Sequence, residues 1–79
     1  MQKQIEKIEA ELVRRIYTLF LEKFNGNQSE FARASKCSET TVRRVFGNKQ
    51  RMTIDLSLRM CYALGVDIKE LFEGLSLKE

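Results

Sequence analysis

Residues 27–48, NQSEFARASKCSETTVRRVFGN, constrain the fold most strongly. In the second half of this stretch Val42, Val45 and Phe46 recur at the i, i+3, i+4 spacing of one helix face. In the first half Phe31, Ala32 and Ala34 supply an apolar side. Asn27 and Ser38 each precede one of these segments and are residue types that cap helix N-termini. The stretch therefore predicts two short helices joined by a tight turn at residues 35–37.

The flanking sequence predicts three more helices. Between residues 2 and 24 apolar residues recur every three or four positions, as in one long helix: Ile5, Ile8, Leu12, Ile16 and Leu19. Asn25 and Gly26 end that helix, a fourth follows Thr53 as far as Gly65, and a fifth follows Asp67. The chain contains no proline, and we find no candidate strand. We expect an all-α fold, a compact bundle of about five helices in a single domain spanning residues 1–79.

The long N-terminal helix has a second apolar stripe, which runs beside the stripe that begins at Ile5: Val13, Tyr17, Phe20 and Phe24. Together the two stripes cover about half of the helix circumference. A wide surface of this kind can face the core of the domain, and we favour that interpretation for residues 16–24. For residues 5–12, within the N-terminal extension (residues 2–12), we favour a contact with a second subunit.

Positive charge is concentrated in the centre of the chain. The formal net charge is only +3, yet residues 28–51 hold six basic residues against two acidic ones. A basic segment of this kind suits a surface that faces phosphate groups, although an ordinary solvated face has the same composition. Charge alone leaves these two interpretations open.

The sequence lacks histidine and the usual arrangements of metal ligands and catalytic residues. The two cysteines, Cys37 and Cys61, lie far apart and there is no histidine, so we expect no metal and no cofactor. There is no glycine-rich phosphate loop and no nucleophile paired with a base, which argues against an enzyme and against a small-molecule ligand. The acidic cluster on the first helix (Glu6, Glu9 and Glu11) has the spacing of a solvated face paired with lysines. Without a long apolar run, we expect a cytoplasmic protein with no membrane segment and with reduced thiols.

Two blocks of residues resemble the lambda-repressor-like (Cro/XRE) family of helix-turn-helix proteins. The first block matches the family pattern at Gln28, Glu30, Phe31, Ala32, Cys37, Ser38, Val42, Arg44, Val45 and Lys49. The second block, residues 56–72, contains AlaLeuGlyVal and GluLeuPhe and is similar to the family's last two helices. The resemblance covers about residues 13–73 and places the helix-turn-helix at residues 28–46. It implies a lambda-repressor-like fold with an extended first helix.

The sequence departs from the family in three places. Lys36 stands where the family usually has glycine, which costs about 1 kcal/mol if φ is positive there. Phe46 replaces an acid that in the family commonly pairs with an arginine of the first helix. We expect Phe46 to pack against Phe20 and Leu21, which exchanges a polar bridge for apolar contact. The third departure is the extension at residues 2–12, for which the family gives no fixed role.

The resemblance implies sequence-specific binding of double-stranded DNA, with residues 39–46 as a recognition helix in the major groove. It assigns base reading to Glu39, Thr40, Arg43 and Arg44. Contacts to the DNA backbone are assigned to Gln28, Ser29, Thr41, Asn48, Lys49 and Arg51. The implied role is transcriptional regulation, with repression favoured over activation.

Such a short recognition helix reads few base pairs, so we expect a homodimer on a pseudo-palindromic site. Candidate dimer surfaces lie on the first helix and near the C-terminus: Ile5, Ile8, Leu12, Leu71, Phe72 and Leu75. An alternative function is that of a protein-interaction module or antitoxin-like adaptor. It would act through the long N-terminal helix, and DNA binding would be secondary.

Overall fold

The computed structural model describes residues 2–75, which form five helices and no strand. The helices are α1 (Gln2–Phe24), α2 (Gln28–Ser35), α3 (Glu39–Phe46), α4 (Ile54–Leu64) and α5 (Ile68–Leu71). The all-α architecture and the five helices predicted from periodicity are confirmed. The first helix runs without interruption through the predicted extension.

Side-chain caps begin four of the five helices, at the residues that the sequence predicts. Asn27 accepts the Glu30 amide hydrogen at 3.1 Å, and Ser38 accepts that of Thr41 at 3.0 Å. The Thr53 hydroxyl caps α4 and the Asp67 carboxylate caps α5 in the same way. Each cap satisfies one of the amide groups that a helix N-terminus leaves without an intrahelical partner.

The core lies where α1 crosses the other four helices. Its buried apolar residues come from every helix: Leu12, Ile16, Phe20, Phe31, Ala32, Val42, Val45, Leu56, Met60, Cys61, Leu64 and Leu71. Cys61 is buried and Cys37 is half-buried, and burial raises the pKa of both thiols. Ala34 is only half-buried, because Ser35 takes the inward position at the end of α2.

Two residues predicted for a dimer surface belong to this core. Leu12 is 5% exposed and Leu71 is 3% exposed. The prediction is therefore wrong for both, since a side chain buried inside one subunit presents no surface to another. The inward stripe of α1 extends at least one turn further toward the N-terminus than the sequence indicated.

Phe46, the last residue of α3, packs against three other aromatic rings. Its ring centroid is 5.0 Å from that of Tyr17, 5.1 Å from that of Phe20 and 6.1 Å from that of Phe31. Apolar packing of Phe46 on α1 is thus confirmed for Phe20. It is wrong for Leu21, which is 45% exposed, and Tyr17 supplies the second α1 contact.

Arg15 ties α1 to the C-terminal end of α5. Its Nη1 donates hydrogen bonds to the backbone oxygens of Leu71 at 2.8 Å and Glu73 at 2.7 Å. On the α1 surface Glu11 accepts hydrogen bonds from Arg14 and Arg15. These bonds, with the one from Arg14 as the larger cause, lower the pKa of Glu11 to about 2.

None of the helices in the described part of the chain combines the length and the apolar character that crossing a membrane requires.

Candidate nucleic-acid interface

Helix α3 has an apolar side in the core and a polar side on the surface. Val42 and Val45 are buried, whereas Thr40, Arg43 and Arg44 are exposed. Because α3 has only eight residues, its two buried valines fix the direction of the whole polar side. Three of the four residues predicted to read bases therefore share one exposed surface, and the fourth, Glu39, is exposed at the N-terminus of α3.

The N-termini of α2 and α3 meet through a side-chain hydrogen bond. The Ser29 hydroxyl donates to Glu39 Oε2 at 2.5 Å, and both residues are exposed. Ser29 is predicted to contact the DNA backbone and Glu39 to read a base. The structure brings these two residues into direct contact, and the hydrogen bond orients the Glu39 carboxylate toward the N-terminus of α2.

The two threonines of α3 differ in their surroundings. Thr41 is half-buried, and its hydroxyl is 2.8 Å from the Ser38 hydroxyl that caps the helix. Thr40 is exposed and accepts a long hydrogen bond, 3.4 Å, from Arg43 Nη2. The Thr41 side chain is thus partly engaged at the helix N-terminus, whereas Thr40 points outward beside an arginine.

Among the basic residues predicted to contact DNA, Arg44 and Lys49 have the fewest competing side-chain contacts. Both residues are exposed, and neither side chain forms an ion pair with another residue in the range 2–75. The Lys49 amide donates to the Arg44 carbonyl oxygen at 2.8 Å, which holds the backbone after α3. Asn48, between them, adopts the left-handed conformation with φ of 60°. This turn places Lys49 next to the C-terminal end of α3.

Arg51 lies further along the same loop and is paired with α1. Its Nη2 is 3.2 Å from Glu9 Oε1, and Glu9 Oε2 also accepts the Met52 amide hydrogen at 2.9 Å. The sequence indicated a solvated acidic face for Glu9, and that prediction is wrong because the carboxylate is directed at the loop. Residues 43 positions apart make this contact, and helical periodicity carries no signal for it.

The turn between α2 and α3 is stabilised from α4. Lys36 has φ of 57°, the left-handed conformation in which the family's glycine is favoured. The Cys37 amide donates to the Ala32 carbonyl oxygen at 3.0 Å, as in a helix C-cap, and Arg59 Nη1 donates to the Lys36 carbonyl oxygen at 2.8 Å. The role of Arg59 was missed in the sequence, where it is one basic residue among many.

The remaining residues predicted for a dimer surface are partly exposed. Ile5 and Ile8 on α1 and Phe72 near the C-terminus line one shallow cavity of about 200 Å³, and Leu75 is also half-buried. The structure also shows an exposed apolar stripe on α4, which was not predicted from the sequence. Its members, four residues apart, are 69%, 50% and 78% exposed: Ile54, Leu58 and Tyr62.

Within residues 2–75 no three metal-ligating side chains lie close enough together to hold an ion.

Comparison with known proteins identifies a family. The family model described as a Cro/C1-type HTH DNA-binding domain matches residues 19–74, which is more than half of the chain. No significant match was found among curated proteins or among solved structures. The match includes the turn at Lys36, the whole of α3 and the loop that carries Lys49, and it begins after the N-terminal extension of α1. The chain belongs to the Cro/C1-type helix-turn-helix family and carries its DNA-binding domain.

Proposed function

We propose that the protein is a sequence-specific transcriptional regulator, acting as a repressor, that places α3 in the major groove of double-stranded DNA. The observation that carries this proposal is the exposed polar side of α3, with Thr40, Arg43 and Arg44 outward and the two valines buried. A single helix fits the major groove, where each base pair presents a distinct pattern of hydrogen-bonding groups.

The side chains of α3 have the chemistry that base reading requires. Arg44 and Arg43 can each donate two hydrogen bonds to guanine, and Thr40 offers a methyl group to thymine. Glu39 can accept a hydrogen bond from the amino group of cytosine. The hydrogen bond from Ser29 supports this role, because a carboxylate held in one direction loses less freedom on binding.

The proposal assigns phosphate contacts to residues on both sides of α3. Gln28 and Ser29 lie at the N-terminus of α2, where the helix dipole and free amide groups favour an anion. Asn48 and Lys49 follow the C-terminus of α3. Thr41 and Arg51 complete the predicted set: Thr41 contacts a phosphate beside the α3 cap, and Arg51 does so from its position next to Glu9.

A homodimer on a pseudo-palindromic site would double the number of base pairs that are read. Four of the residues predicted for a dimer surface stay partly exposed: Ile5, Ile8, Phe72 and Leu75. Three of them, Ile5, Ile8 and Phe72, line one cavity, which supports a dimer contact at the N-terminal part of α1. The alternative, a protein-interaction module acting through the long first helix, has less support. Glu9, in the middle of the extension, contacts a loop of the same chain next to α3.

A mobility-shift titration of duplex DNA at several salt concentrations tests this proposal. The parent should bind with an affinity that falls as salt rises, because phosphate contacts release counterions. Arg44→Ala should weaken binding to the preferred sequence about 5- to 150-fold. Arg14→Ala removes the same charge from an exposed position on α1 and should leave the affinity within about twofold. Equal binding by Arg44→Ala and the parent would contradict the assignment of α3.

A further inference from the structure

We propose that Glu9 is a positioning residue for the DNA-contacting loop, residues 47–52. The N-terminal extension of α1 would then serve DNA binding by shaping the loop that follows α3. This inference rests on the proposed function, because it assumes that Lys49 and its neighbours contact phosphate groups. It adds a role for the extension, which lies outside the residues that the family model matches.

The contacts of Glu9 are directed at the loop backbone as well as at a side chain. Its Oε2 accepts hydrogen bonds from the Met52 amide at 2.9 Å and from Arg51 Nε at 3.4 Å. Its Oε1 is 3.2 Å from Arg51 Nη2. The Glu9 side chain is 23% exposed and the Arg51 side chain is 67% exposed, so water screens the ion pair, and the hydrogen bond from the Met52 amide is the more sheltered contact. One carboxylate therefore contacts the loop both at its backbone and at the Arg51 side chain.

The two halves of the loop are held by different means. The half next to α3 is closed by backbone hydrogen bonds, from Asn48 to Val45 and from Lys49 to Arg44. The half next to α4 is held by the bonds that Arg51 and Met52 donate to Glu9. The extension also forms one wall of a groove of about 410 Å³ whose other wall is residues 48–51. Without Glu9, the second half of the loop would keep the packing of Met52 against the core and lose its polar contacts with α1.

The sign of the expected effect separates positioning from simple electrostatics. A carboxylate beside a loop that faces phosphates repels DNA, so its removal would strengthen binding if charge alone mattered. Removal of a positioning group weakens binding instead, because the phosphate-contacting groups lose their common orientation and must be ordered on binding. The two explanations therefore predict changes of opposite sign in DNA affinity when the Glu9 carboxylate is removed.

Glu6 provides a matched control. It lies about one helical turn before Glu9 and lines the same groove. It is exposed and forms no ion pair within the described residues 2–75. Glu6→Ala therefore removes the same charge from nearly the same place without removing a contact to the loop.

The test is a fluorescence titration of a labelled DNA duplex that the parent binds, with Glu9→Ala, Glu9→Gln and Glu6→Ala. We expect Glu9→Ala to bind about fivefold more weakly than the parent. Glu9→Gln keeps an oxygen that can accept from the Met52 amide, so its affinity should lie between those of Glu9→Ala and the parent. Glu6→Ala should bind the duplex as tightly as the parent or more tightly. Binding by Glu9→Ala that equals or exceeds that of the parent would overturn the inference.

Amide hydrogen exchange at Met52 gives a readout without DNA. Exchange should be faster in Glu9→Ala than in the parent and close to the parent rate in Glu9→Gln. An unchanged rate in Glu9→Ala would overturn the inference. If Glu9→Ala does not fold, the affinity of Glu9→Gln decides, and Glu9→Gln that binds DNA as tightly as the parent or more tightly would overturn the inference. A parent that binds no duplex overturns the proposed function and this inference together. A parent that binds, is weakened by Arg44→Ala and is unaffected by Glu9→Ala overturns this inference alone.

Discussion

Tyr17 and Phe46 pack edge to face, with ring centroids 5.0 Å apart and ring planes at 79° to each other. The contact joins the middle of α1 to the last residue of α3, and Phe20 completes it from the next turn of α1. Edge-to-face packing of aromatic rings is a favourable and directional arrangement. Aromatic packing therefore holds the C-terminal end of α3 against α1. At this position the Cro/XRE family commonly has an acid paired with an arginine of the first helix.

Replacing Phe46 with glutamate should destabilise the protein. The variant removes a half-buried ring and places a carboxylate beside the rings of Tyr17, Phe20 and Phe31. We expect a loss of about 3 kcal/mol in the free energy of unfolding and a melting temperature at least about 10 °C lower. Circular dichroism during thermal unfolding measures both. Phe46→Leu, which keeps an apolar group, should lose less than half as much, and an unchanged melting temperature for Phe46→Glu would refute aromatic packing.

Replacing Lys36 with glycine should stabilise the protein. Lys36 has φ of 57°, a conformation that strains a residue with a Cβ atom and leaves glycine unstrained. We expect the free energy of unfolding to rise by up to about 1 kcal/mol, measured by urea denaturation. Lys36→Ala removes the same charge but keeps the Cβ atom, and it should give no gain. Equal effects of the two substitutions would show that charge and not φ is responsible.

Stability should depend on the ionisation of Glu11 in acid. Hydrogen bonds from Arg14 and then Arg15 lower the pKa of Glu11 from its ordinary 4.5 to about 2 in the folded protein. A folded-state pKa below the unfolded one adds stability that is fully present above pH 4.5 and is lost as the pH falls to about 2. The difference in unfolding free energy between the parent and Glu11→Gln should therefore shrink over that pH range. A difference that stays constant from pH 6 to pH 2 would contradict the pKa assignment.

Local sequence signals predicted the helices and their ends. Asn27, Ser38, Thr53 and Asp67 cap the helices as expected, because a cap depends on a few neighbouring residues. Gly65, with φ of 70°, ends α4 for the same kind of reason. The polar side of α3 was predicted equally well, since two valines at helical spacing determine which side is buried.

Contacts between distant residues were predicted less well. The apolar arc of α1 covers half of the helix, so periodicity could not decide that Leu12 faces the core and Leu21 the solvent. Two such contacts depend on how the helices cross: Glu9 with the Met52 amide, and Arg59 with the Lys36 carbonyl oxygen. The crossing of helices leaves no pattern in the local sequence around these residues. These are the contacts that shape the turn and the loop on either side of α3.

Selection of bound sequences from a random pool of duplex DNA, with the parent and Arg44→Ala in parallel, tests the central claim most directly. We predict that the parent enriches a specific sequence, arranged as two half-sites about one helical turn apart. Arg44→Ala should lose the preference at one position of each half-site, because Arg44 reads one base pair there. No enrichment by the parent, or the same sequence with the same preferences from Arg44→Ala, would contradict the assignment of α3 as the recognition helix.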